Sequence, residues 1–73
     1  MTRTEASQAF SAADAEWLRE LESQFGREAG RAAYDQRRLG VAGDKINTLW
    51  RAREKAQAEL FRSLMASAFD GAA

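Results

Sequence analysis

Residues 40–45 read GVAGDK, a glycine-bracketed stretch ending in lysine. A phosphate-binding loop needs G-x-x-x-x-G-K-[ST] after a strand. Its backbone N–H groups then cradle the phosphates, and the hydroxyl reaches magnesium. Here only Val41 and Ala42 separate the glycines, Asp44 stands between Gly43 and Lys45, and Ile46 replaces the hydroxyl. The stretch therefore reads as a turn. Acid–base chemistry fares no better. Glu16 with Glu20, and Glu28 with Asp35, have helical spacing. Paired carboxylates transfer protons only when burial or a neighbour splits their pKa values. The chain has no histidine and no cysteine. That removes the commonest general base, the commonest metal ligand and the thiolate nucleophile. The expectation is a non-enzymatic protein with no cofactor, no metal and no small-molecule substrate.

A third chemistry is charge recognition. Arg31, Arg37, Arg38, Lys45 and Arg51 make a basic tip, with Tyr34 and Trp50 among them. Basic residues interleaved with aromatics can grip a nucleic-acid backbone. However, Glu28, Asp35 and Asp44 are interspersed, and the net charge is zero. Helix-end charge complementarity accounts for the same residues. A nucleic-acid-associated protein is therefore the alternative reading, not the leading one.

The elements that must position these residues are helical. The chain lacks proline and is rich in alanine, glutamate, arginine and leucine, all good helix formers. Period-2 strand patterns are absent. A first helix is expected over 11–38, with Ser11 as its cap and residues 1–10 as a mobile tail. Phe10, Trp17, Leu21, Phe25, Ala32 and Leu39 share one face at about 100° per residue. That stripe argues for a helix unbroken through Gly26 and Gly30. A loop over 39–44 follows, with Gly40 as the terminating glycine and Asp44 as the next cap. A second helix is expected over 45–70, then a tail at 71–73. Its apolar face holds Ile46, Leu49, Trp50, Leu60, Phe61, Leu64, Met65 and Ala68. The fold class is all-α, a single antiparallel two-helix hairpin that dimerises into a four-helix bundle.

Polar residues interrupt the apolar faces. Arg53 and Gln57 lie within the second stripe, and Glu28 and Asp35 within the first. A turn near residues 41 and 42 makes opposed residue numbers sum to about 83. Arg53 then faces residue 30 and pairs with Glu28 or Asp35, an ion pair that sets register more than it stabilises. The other reading turns Arg53 and Gln57 toward a partner. Gly26, Ala29, Gly30 and Ala33 form a small-residue patch against which another helix backbone can come close.

Seventy-three residues are marginal as a lone domain. Trp17, Phe25, Trp50, Phe61 and Phe69 make an apolar band too wide for two helices to cover. A homodimer, a protein partner, or both are expected. The candidate interface is Trp17, Leu21, Phe25, Gly26, Gly30, Tyr34, Trp50, Arg53, Gln57, Phe61 and Met65. No run approaches the roughly 20 apolar residues of a membrane span, and the first residues lack a signal-peptide core. No membrane association and a cytoplasmic location are expected.

The run WLRELESQFGREAGRAAYDQRRLG followed by LWRAREKAQAEL resembles small helical proteins encoded in phages and mobile elements of high-GC proteobacteria. The resembling pattern is Phe25-Gly26, Ala29-Gly30, Tyr34 and Arg38, then an alanine-rich amphipathic helix. The resemblance implies a small accessory protein that acts by binding, as a modulator or inhibitor of a host protein complex. A structural or assembly subunit is a further alternative.

Overall fold

The computed structural model describes residues 2–72, with side chains described as far as Ala66. Helix α1 spans Arg3–Phe25 and α3 spans Lys45–Ala72. Between them lie a 3-10 turn at Gly26–Glu28, the short helix α2 at Ala29–Ala32, and a second 3-10 turn at Gln36–Leu39. No strand occurs among the described residues. The chain is an antiparallel pair of long helices joined by a wound connection.

Helix α1 starts nine residues earlier than the Ser11 cap would place it. Thr2 is the cap: its hydroxyl oxygen accepts from the Glu5 N–H at 3.1 Å. The same hydroxyl donates to the Glu5 carboxylate at 3.0 Å. This is a Thr-x-x-Glu capping arrangement, stronger than Ser-x-x-Asp at 11–14. Residues 3–10 are thus helix rather than tail, and Ala6 is buried within them. At the other end α3 runs on to Ala72, past the expected end at 70. The side chains of Ala68 and Phe69, and residue 73, lie outside the described residues.

The expected continuous helix to residue 38 does not form. Gly26 adopts φ 55, ψ −119, and its N–H still reaches the Glu22 carbonyl. That positive φ ends the α ladder at Phe25. An unbroken helix would hold residues 17 and 38 about 32 Å apart. Instead the Trp17 indole N–H donates to the Arg38 carbonyl at 2.9 Å. The connection winds back along α1, and its buried Ala29 and Ala32 lie in the core with Trp17, Leu21 and Ile46. The stripe from Phe10 to Leu39 keeps helical phase in sequence although the α-helix ends at Phe25. Gly30 sits in α2, and Gly26 and Gly30 have open space where a side chain would be. They do not mark a close approach of another backbone within this chain.

Register shifts accordingly. Trp17 stacks against Trp50 and Asp14 pairs with Arg53; both pairs centre the hairpin between residues 33 and 34, not at 41–42. Arg53 therefore faces the middle of α1 rather than residue 30. The expected partners are elsewhere: Asp35 binds Arg37, and Glu28 is exposed.

The molecule is elongated, with extents of 48 × 22 × 18 Å and a radius of gyration of 14.5 Å. A compact domain of this length has about 11 Å. The core is correspondingly thin. Among the described residues only Leu21 and Ile46 are large side chains wholly removed from solvent.

Gly40 closes the connection at φ 66. A Cβ there would lie 2.7 Å from the Asn47 backbone nitrogen and 3.0 Å from the Ile46 Cβ. Gly40→Ala is expected to cost about 3 kcal/mol, from backbone strain plus overpacking. Gly30→Ala, helical and unobstructed, is expected to stabilise by about 0.5–1 kcal/mol. Urea unfolding of the two variants checks the pair.

Candidate functional site

Phe10, Asp14 and Trp17 recur at steps of four and three along α1. Trp50, Arg53 and Gln57 recur at steps of three and four along α3. Both helices therefore present these residues on the facing sides. The Arg53 guanidinium lies 5.1 Å from the Phe10 ring centre, 5.0 Å from that of Trp17 and 5.1 Å from that of Trp50. Its Nε donates to Asp14 Oδ1 at 2.7 Å. The two indoles sit 5.1 Å apart, tilted by 54°, a favourable aromatic geometry. The side chains of Arg53 and Asp14 remain 21% and 32% exposed, so neither charge is fully stripped of water.

Three aromatic faces and a carboxylate make a box for a cation. Here the protein fills that box with its own arginine. The arrangement locks α1 to α3.

A second set of contacts holds the connection onto this box. Arg38 donates to the Asp35 carbonyl at 2.8 Å, and its guanidinium lies 5.9 Å from the Trp50 ring centre. Arg37 clasps the Asp35 carboxylate through Nε and Nη2 and lies over Phe25. The Arg37 side-chain and backbone hydrogen bonds hold the Asp35 carboxyl below its ordinary pKa. Asn47 Nδ2 donates to the Leu39 carbonyl. Lys45 reaches Glu20 at 3.5 Å.

The basic tip is therefore largely spent. Arg37, Arg38 and Lys45 have partners within the chain, and Arg31 and Arg51 are exposed. The candidate interface divides in the same way. Trp17 and Leu21 are buried, Phe25, Trp50, Arg53 and Gln57 are half-buried, and all face inward or flank the box. Gly26 and Gly30 lie at the exposed connection. What stays open is Tyr34, 90% exposed, and on α3 Phe61 at 59% and Met65 at 58%. Leu64 beside them is 41% exposed.

Sequence reasoning did not find Asp14 as the partner of Arg53, nor Phe10 as a wall of the box. The available signal was the pair of tryptophans. Setting Trp17 opposite Trp50 brings Asp14 opposite Arg53 without further adjustment.

Among the described residues no cluster of three or more carboxylates comes together to hold a metal ion. No described helix is long and apolar enough to cross a membrane. Fold and contacts together define an all-helical hairpin pinned by a self-filled aromatic box. Set against known protein families, curated proteins and solved structures, the chain matches none.

Removing the cation leaves Asp14 half-buried beside three rings. Arg53→Ala is expected to cost about 2 kcal/mol, below the range for fully buried pairs because both groups keep some water. Asp14→Ala is expected to cost about 1 kcal/mol, with a coupling of similar size in the double-variant cycle. Chemical denaturation measures all three.

Asp35 titrates below the ordinary carboxylate range, so its clasp on Arg37 contributes above the unfolded-state pKa. The contribution is lost as pH falls through the lowered folded-state value. NMR titration should show Asp35 as a late-protonating carboxyl. Arg37→Ala should raise it only partway toward the ordinary range, because the backbone N–H of residue 37 still donates to the carboxylate.

Proposed function

We propose that this protein is a non-enzymatic protein–protein interaction module. It self-associates into a four-helix bundle and binds a protein partner through helical surface. The carrying observation is the uncovered apolar face of α3, where Phe61, Leu64 and Met65 all stay exposed.

Surface area supports the same reading. The chain exposes 5338 Å², whereas a folded monomer of its mass exposes roughly 4,500 Å². The surplus is close to the roughly 800 Å² that each partner gives up in an interface of standard size. Large apolar side chains clustered on one helix face favour a helical partner, since knobs of one helix fill the gaps of the other.

The tip favours protein over nucleic acid. Three of its five cations, Arg37, Arg38 and Lys45, are engaged by Asp35, Trp50 and Glu20. Asp35 and Glu20 offset part of the positive charge at the tip, which lowers the counterion release that drives binding to a phosphate backbone. The resemblance to phage-encoded proteins suits a small modulator or inhibitor of a host protein complex. A cytoplasmic location suits that role.

Sedimentation equilibrium over a concentration series tests the reading. A dimer is expected. Phe61→Ser with Met65→Ser should weaken it at least tenfold, about 1.4 kcal/mol, at unchanged helicity. A wild-type chain that stays monomeric across the series and captures no protein contradicts the proposal.

A further inference from the structure

We infer that the second copy seats on the outer face of α3, antiparallel, with the two-fold axis at Ala58. This rests on the self-association proposed above and adds its register and charge code. Glu54, Ala58, Phe61, Arg62 and Met65 succeed one another at steps of three and four, so they share one side of α3. All five are exposed. The side that meets α1 is a different one, marked by buried Ile46 and half-buried Arg53 and Leu60.

Three features fix the arrangement. First, Ala58 is the smallest side chain at the centre of the face, and a small residue there lets two helices approach closely. Second, the charges flanking it are opposite and equidistant. Glu54 lies four residues before Ala58 and Arg62 four residues after. Among the described residues neither takes part in an ion pair. An antiparallel two-fold pair centred on Ala58 sets Glu54 against the partner's Arg62, and Arg62 against the partner's Glu54. A parallel pair would set each charge against its own copy, which repels. Third, the same register places Phe61 over the partner's Lys55 and Met65 over the partner's Arg51. Their aliphatic stems cover apolar surface while the charged ends stay in water, and the Lys55 ammonium can lie near an aromatic face. A two-fold contact is self-complementary, so every such pair occurs twice.

Charge reversal reads the register directly. Glu54→Arg and Arg62→Glu each convert two attractions into two repulsions, and each should weaken the dimer by about tenfold. Combined in one chain they restore opposite pairing, and the dissociation constant should return to within about threefold of wild type. Both residues are solvent-exposed, and circular dichroism verifies that each variant stays helical. Analytical ultracentrifugation at low and high salt gives the constants, and the wild-type dimer should weaken as salt rises. A wild-type dimer indifferent to the single reversals overturns this register while leaving self-association intact. So does a combined variant as weak as the single ones. A wild-type chain that never dimerises overturns both.

Discussion

One guanidinium holds this hairpin together. Arg53 sits within about 5 Å of three ring centres, Phe10, Trp17 and Trp50, and hydrogen-bonds Asp14. Each ring presents a negative face to the cation, and the carboxylate neutralises it. A leucine at this position would pack against either helix in several registers. A cation with one carboxylate within reach does not slide. The cost is partial desolvation of two charges, and the return is a single register more than added stability.

Everything at the connection follows from that register. With Trp17 opposite Trp50, the chain leaves α1 at Phe25 and must come back along it before α3 can begin. Gly26 supplies the break, and Ala29 and Ala32 are small enough to lie against the core. The Arg38 carbonyl then meets the Trp17 indole N–H. Returning the chain brings Arg37, Arg38 and Lys45 into contact with Asp35, Trp50 and Glu20. Arg37 and Arg38, which look like part of an exposed basic tip in sequence, fasten the connection.

The helical class, the two long helices and the glycine-rich connection were legible because composition and 3.6-residue periodicity act locally. Trp17, Leu21, Ile46 and Trp50 fall on inward faces, as their spacing demands. The break at Gly26 was not legible. The apolar phase carries through it, and a glycine in helical phase looks the same whether it is tolerated or used. The Arg53 partner is not legible because the last glycines suggest a turn at 41–42, which opposes Arg53 to residue 30, whereas the wound connection opposes it to Asp14. The early start of α1 was missed because Ser11 and Asp14 imitate a cap weakly while Thr2 and Glu5 form one well. On the exposed side, Phe61 and Met65 were read as interface from their bulk. Buried Trp17 and half-buried Trp50 instead wall the box within the chain. Gly26 and Gly30 face open space, so their small-residue spacing reflects no packing within this chain.

The thin core and the bare half of α3 are two sides of one division of labour. The box and connection cover Trp17, Leu21 and Ile46 toward the tip end of the hairpin. Phe61 and Met65 lie on the side of α3 turned away from α1, so α1 leaves both more than half exposed. The proposed association completes what the hairpin leaves open. All of it depends on Arg53 facing Asp14. Nuclear Overhauser contacts from the Arg53 δ-methylene test this most directly. The account predicts contacts to the indole protons of both Trp17 and Trp50, with the methylene shifted upfield by their ring currents. Contacts from Arg53 to residues near 30, with unshifted methylene protons, would contradict it.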